Sequence, residues 1–364
     1  MKVLHIITSL NIGGAEKLMV DLLPRLKQRG VEVELLVFVG NRTMFYDQLE
    51  RDGVKITAFA EKGSVYNPLH LIRLYRFLKK NHFDVVHTHN TAPQLFAALA
   101  AVVCSVVLCT TEHTTSNRRR DWKWYRFIDR WMYSKYSRVI CISDAAEHNL
   151  REYLGCDETE KKYLTIYNGV DVNKFANAQP LQGFHAEKKI ITMVAGFRYQ
   201  KDQDTLIRAM QHLPREEYEL WLVGDGERRG ELENLVASLG LNNYVKFLGV
   251  RGDVPSLLKS SDVVVMSSHF EGLSLSNIEG MSVGKPFIAS DVDGLHEMTI
   301  GAGLLFRHGD DKQLAELIKT LMVNYVLYKQ IATQCLQRAK LYDISKMVDG
   351  YMRVYKHLSG SRFL

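Results

Sequence analysis

The chain is 364 residues long, with a formal net charge of +6, 46% hydrophobic residues and 24% charged residues. That length is too great for one ordinary core and suits two domains, and a composition with only 7 prolines and no low-complexity tract excludes a disordered chain. The modest positive charge is compatible with anionic small ligands or an anionic membrane surface; nucleic acid is not expected as a partner.

In chain order, MKVLHIITSLNIGGAE opens with an apolar run too short for a secretory signal and reaches a glycine turn instead of a cleavage site. Short β-branched runs follow with amphipathic segments between them: VLHII (3–7), VEVELLVFV (31–39), DVVHTH (84–89) and RVICIS (138–143). That alternation predicts parallel βα units. The longest apolar stretch, 95–109, falls short of the roughly 18 residues of a membrane span. The polar stretch 177–189, with Pro180 and Gly183, reads as an interdomain linker, a long surface loop being the alternative. The pattern then restarts with ITMVAGF, ELWLVGDGE, VKFLG, DVVVMSS and KPFIAS, and 343–358 has a helical period. The prediction is an α/β chain of two doubly wound domains, 1–180 and 181–342, whose strand C-termini face a common cleft. Five scattered cysteines, Cys104, Cys109, Cys141, Cys156 and Cys335, have no C-x-x-C spacing and read as free thiols of a reducing cytoplasm.

In HFEGLSLSNIEGMSVGKPFIAS (269–290), Glu271 and Glu279 stand eight positions apart, whereas helical neighbours stand three or four apart. The pair therefore spans a loop and the helix after it. Gly272, Ser274 and Ser276 permit close backbone approach, and the helix start offers unpaired N–H groups suited to phosphate oxygens. A carboxylate at Glu279 can accept two hydroxyl hydrogen bonds, as a ribose diol offers. Two glutamates on a solvated surface are the plainer reading of the pair alone.

The whole segment resembles the E-x7-E region of the retaining GT-B glycosyltransferases of family 4 (glycosyl transferases group 1), in the manner of bacterial surface-polysaccharide enzymes. The resemblance extends through GGAE (13–16), DVVHTHN (84–90), TEH (111–113), YNGVDVNKF (167–175), FRYQKDQDTLIRA (197–209), LVGDGE (222–227) and FLGVRGDV (247–254). It implies the GT-B fold: two Rossmann-like domains facing a central cleft, an acceptor held by the first, a nucleotide-sugar by the second, and a last helix, about 343–359, packing back on the first.

By position, the resemblance places Glu279 on the ribose, Glu271 beside the transferred sugar, and the amides of Gly272, Leu273, Ser274 and Leu275 on the diphosphate or sugar. Lys201 matches the diphosphate-binding lysine. Arginine is common five residues before that lysine; here Gly196 stands there and Arg198 is three before it, carried as the phosphate ligand. Gly224, Gly249 and Arg251 are assigned to the donor, with backbone near FLGVR meeting the base. Gly13 and Gly14 are expected to approach the sugar or diphosphate, a simple tight turn being the alternative; Glu16 and His89 are expected on the acceptor side. His113 is expected to hydrogen-bond a sugar hydroxyl or support charge at the anomeric carbon, whereas His87 reads equally as a packed strand residue.

No histidine, cysteine and carboxylate set has metal-ligand spacing, and Asp291-Val292-Asp293 reads as a structural or donor-proximal loop, so neither metal nor cofactor is expected. Residues 117–138, NRRRDWKWYRFIDRWMYSKYSR, mix cations with aromatics; a helix lying on an anionic membrane and a packed helix with solvated arginines are both open. The expected function is a cytoplasmic hexosyltransferase, peripheral on the membrane where 117–138 lies on it, using a UDP-sugar and a hydroxyl acceptor such as a lipid-linked saccharide. A GDP-mannose-dependent transferase, a nucleotide-sugar epimerase and a non-catalytic sugar-nucleotide binder are the alternatives.

Overall fold

The computed structural model describes the chain except residues 12, 114–119, 121, 123, 183–186 and 361–364. The described residues divide into two compact units, those of 1–168 with 344–360 and those of 169–343.

The first unit is built on a seven-stranded parallel sheet of β1 (Lys2–Ile7), β2 (Glu32–Val39), β3 (Lys55–Ala60), β4 (Val85–His89), β5 (Leu108–Glu112), β6 (Arg138–Cys141) and β7 (Tyr163–Thr165), in the order β3-β2-β1-β4-β5-β6-β7. The order reverses between β1 and β4, as in doubly wound sheets, whose ligands bind at the strand C-termini near such a reversal. Alternation along β1 sends Val3 and Ile7 into one apolar cluster and Leu4 and Ile6 into another. The last helix, Ile344–Gly360, covers the first of these with Met347, Tyr351, Val354, Tyr355 and Leu358.

The second unit has a six-stranded parallel sheet of β8 (Lys189–Val194), β9 (Tyr218–Val223), β10 (Val245–Gly249), β11 (Val263–Met266), β12 (Phe287–Ser290) and β13 (Leu304–Phe306), ordered β10-β9-β8-β11-β12-β13. Its reversal lies between β8 and β11. The two loops leaving those strands carry Arg198 and Lys201, and Glu271.

The division between units falls at 168/169 rather than within 177–189. The cause is packing: Val170, Val172 and Phe175 join the core of the second unit, and Leu181 packs against Ile190, Trp221 and Leu257 while its N–H donates to Ser260 Oγ at 2.8 Å. Part of the expected linker, 183–186, lies outside the described residues. No helix among the described residues is long and apolar enough to cross a membrane.

The helix Leu275–Ser282 must lie close on the second sheet for Glu279 to be positioned by it. Gly280 permits this, because a Cβ there would stand 2.9 Å from both Phe287 Cε2 and Val264 Cγ1. Gly280→Ala is therefore expected to destabilise the protein by about 1–3 kcal/mol through overpacking, read as a lower urea midpoint; an unchanged midpoint would show that the helix has room to shift.

Candidate active site

The loop after β8 ends in a single 3-10 turn, Tyr199–Lys201, and the helix Gln203–Ala209 begins directly after it. Asp202 joins the two in the left-handed region, at φ 45°, and caps the helix by accepting from Thr205 N–H and, at 2.6 Å, from Thr205 Oγ. This sharp turn aims Lys201 at the loop after β11. There its ammonium is ion-paired with Glu271, whose Oε1 also accepts from Ser268 Oγ at 2.8 Å. The lysine side chain is 17% exposed and the glutamate 4%.

Hydrogen bonds to backbone carbonyls tie the two loops further. His269 N–H donates to the Gln200 carbonyl at 2.8 Å, Gln200 Nε2 to that of Phe270 at 3.0 Å, and Ser267 Oγ to that of Asp202 at 2.7 Å. Beyond Glu271 the chain passes Gly272 and the buried Leu273 to Ser274, which enters the helix Leu275–Ser282 without a side-chain cap. Of the amides at that helix start, Asn277 N–H donates to the Ser274 carbonyl at 3.2 Å, and no side chain caps the others. Glu279 is buried in the same helix. Arg198 is exposed and makes no side-chain hydrogen bond among the described residues; its Nε lies 4.0 Å from where a Cβ on Gly196 would stand.

Other predicted donor residues have structural causes. Gly224 adopts φ +137°, and a Cβ there would collide with the Ala195 carbonyl oxygen, so backbone crowding requires glycine. Its N–H donates to the Gly249 carbonyl at 2.9 Å; Gly249, at φ +66°, has open space around it. Arg251 grips Asp253 with both prongs, at 2.7 and 2.8 Å. The Asp291-Val292-Asp293 stretch supports Glu271 from behind: the Asp293 carbonyl accepts from Glu271 N–H at 3.3 Å, and Asp291 accepts from His296 at 2.6 Å.

In the first unit, Gly13 is extended at the start of the helix Gly14–Gln28, and a Cβ on it would collide with the Glu16 carboxylate, which folds back over it. Gly14 has open space in place of a Cβ. His113 follows β5, half-buried, and its Nε2 lies 2.9 Å from His89 Nδ1. His89 itself corrects the expectation of an acceptor contact: it has no exposed surface, and its second nitrogen lies 3.0 Å from His5 Nδ1.

Models of two families match the chain, Glycosyltransferase Family 4 over residues 12–174 and Glycosyl transferases group 1 over 176–338. The chain belongs to this glycosyltransferase family. An Escherichia coli UDP-Gal:alpha-D-GlcNAc-diphosphoundecaprenol alpha-1,3-galactosyltransferase is 31% identical over 62% of each chain. The phosphatidyl-myo-inositol mannosyltransferase of Mycobacterium leprae is 26% identical over 96% of this chain and 94% of its own. Anabaena HepE, solved with UDP and glucose, superposes with a TM-score of 0.85 at 23% identity, over 98% of this chain and all of that one. The fold is GT-B.

The transferase also gathers groups that sequence spacing could not show. Asp202, His269 and His308 bring one ligand atom each within 4.8 Å of one another, and so do His5, His87 and His89. The first set joins Asp202 Oδ2 to His308 Nε2 at 3.7 Å and to His269 Nδ1 at 3.9 Å, beside the Lys201–Glu271 pair. The second set is fully buried. Burial lowers its histidines below their ordinary pKa of 6.5, His5 to about 3, His87 and His89 well below; burial likewise takes His113 to about 4.

A folded-state pKa lower than the unfolded value means that the unfolded transferase binds protons more readily. This contribution to stability is whole above pH 6.5 and is lost as pH falls below it. One histidine held as low as His5 gives up about 2 kcal/mol between pH 7 and pH 5. Urea unfolding is expected to show stability falling over that interval, with a shallower slope in His5→Asn; equal slopes would remove His5 from the effect.

Proposed function

We propose that the chain transfers a hexose from a UDP-sugar to a saccharide hydroxyl with retention at the anomeric carbon. The observation that carries this reading is the buried Lys201–Glu271 pair beside an uncapped helix start, with Glu279 in that helix and an exposed Arg198 in the lysine's own loop. A diphosphate would draw the Lys201 ammonium and the Arg198 guanidinium and take the amides at the start of the Leu275–Ser282 helix, while the Glu279 carboxylate accepts the ribose hydroxyls. As the bond from the anomeric carbon to the diphosphate oxygen breaks, those cations stabilise the leaving charge. The acceptor oxygen then bonds to that carbon, and its proton passes to the leaving phosphate. Glu271, released from Lys201, faces the positive charge developing on the sugar, and His113 supports a sugar hydroxyl through its second nitrogen.

Uridine is favoured because HepE was solved with UDP and with UDP-glucose and the Escherichia coli relative is named for UDP-Gal. The latter name also supports a lipid-linked acceptor. Thermal unfolding with UDP, GDP, ADP and NAD tests the donor class. UDP at 100 times its dissociation constant is expected to add about 2.7 kcal/mol of stability, with the gain reduced in Glu279→Ala. Arg198→Ala is expected to weaken UDP binding about 10-fold or more, the worth of a charge-assisted hydrogen bond. Stabilisation by GDP alone would move the donor to guanosine, and no response to any diphosphate would sink the reading.

A lipid-linked acceptor requires the enzyme to reach a membrane surface. The helix Tyr125–Ser134 supports this, for it buries Asp129, Met132 and Tyr133 yet leaves Phe127 and Trp131 exposed, and Trp122 and Trp124 are exposed just before it. Arg120 does not belong to that surface, since it is ion-paired with Glu112 at 3.1 Å and its side chain is only 9% exposed. Arg118 and Arg119 lie outside the described residues. Sedimentation with anionic vesicles is expected to be lost in Trp124→Ser with Phe127→Ser, whereas unchanged binding would remove this surface from membrane contact.

A further inference from the structure

Beneath the half-buried His113 runs an unbroken chain of hydrogen-bonding groups. Strand register creates it: His5 on β1 stands opposite His87 on β4, His89 on β4 stands opposite Thr111 on β5, and alternation keeps His87 and His89 on one face. The helix Ile344–Gly360 lays Tyr351 and Tyr355, four residues and one turn apart, over that face. The links are Thr111 Oγ with His87 Nε2 (2.8 Å), His87 Nδ1 with Tyr355 OH (2.5 Å), Tyr355 OH with His5 Nε2 (3.3 Å), His5 Nδ1 with His89 Nε2 (3.0 Å) and His89 Nδ1 with His113 Nε2 (2.9 Å).

Every ring nitrogen of His5, His87 and His89 is engaged in this chain, so it accounts for their grouping without a metal ion. Each imidazole is neutral, because burial strongly disfavours its charged form. A neutral imidazole has one donor and one acceptor nitrogen. The links therefore cannot be set independently. If Tyr355 donates to His5, then His5 and His89 carry hydrogen on Nδ1, His113 accepts at Nε2, and His113 presents an N–H at Nδ1. If His5 donates to Tyr355, every ring takes the other tautomer and His113 presents a bare Nδ1. His113 Nδ1 has no hydrogen bond of its own among the described residues.

We propose that Tyr355, His87, His5 and His89 form a relay that sets the tautomer of His113, so that the last helix fixes whether His113 offers a donor or an acceptor to the sugar. The four are positioning residues, and the inference rests on the reading of His113 as a sugar-facing group. An apolar face would pack here without these polar groups and their desolvation. Their burial is explained if a single tautomer of His113 is what the arrangement secures.

The test is a long-range 1H–15N spectrum at pH 7 of protein labelled with 15N-histidine, His113 being assigned from His113→Gln. In the wild type His113 is expected to show one protonated and one bare nitrogen. Tyr355→Phe removes the hydroxyl and keeps the ring, and is expected to move both His113 nitrogens toward an average of the two tautomers. The histidines outside the relay report whether the fold is intact; should Tyr355→Phe fail to fold, His5→Asn breaks the next link and carries the same test. Unchanged His113 nitrogens in a folded variant, or averaged nitrogens in the wild type, would overturn the relay. Donor turnover is expected to fall about 10-fold or more with the donor KM unchanged. A tautomer shift with full turnover would overturn the part of the relay in the reaction, whereas UDP binding stands or falls separately in the second unit.

Discussion

A carboxylate buried as deeply as Glu271 cannot remain charged without a partner, and the second unit is arranged around supplying one. Lys201 reaches it only because Asp202 takes a left-handed conformation that ends the loop abruptly and starts a helix. That conformation is held by the Thr205 cap and by Ser267, which donates to the Asp202 carbonyl. Gly294 lies so close to the Glu271 carbonyl that no other residue fits. The charge pair thus ties the two loops together, and a diphosphate bound as proposed would compete for a lysine that stands in place. Preorganisation of this kind lowers the cost of binding.

The first unit meets the burial of polar groups in the opposite way. Its strand ends carry imidazoles held neutral, and their hydrogen-bonding capacity is met by one another and by tyrosines. Around these imidazoles the hydrogen bonding is neutral, although Glu112 at the end of β5 is ion-paired with Arg120.

Features contained in one continuous segment were legible in the sequence. Glu271 and Glu279 share a loop and helix, so their spacing declared itself, and the long runs of β1, β2, β4, β9 and β11 announced parallel strands. The short edge strands β7 and β13, three residues each, are too brief for periodicity to register. The boundary between units was misplaced because polarity marks a surface stretch, whereas Val170, Val172 and Phe175 decide which core the chain has joined. Gly224 shows a further limit: the resemblance of LVGDGE assigned it to the donor, but its φ of +137° and the Ala195 carbonyl already demand glycine. The grouping of Asp202, His269 and His308, and the relay from Tyr355 to His113, join residues far apart in sequence and become visible only through strand register and loop closure.

The displaced arginine can be argued on geometry. A side chain at position 196 would leave β8 beside the Asp225 carbonyl, 3.7 Å from its Cβ, in ordinary contact. Sterics therefore do not forbid a residue larger than glycine there. Arg198 instead turns its Nε back to 4.0 Å from that same point. A side chain at 196 would contend with Arg198 for this space, and glycine leaves it open. The Arg198 side chain thus passes close to the position where a side chain at 196 would begin.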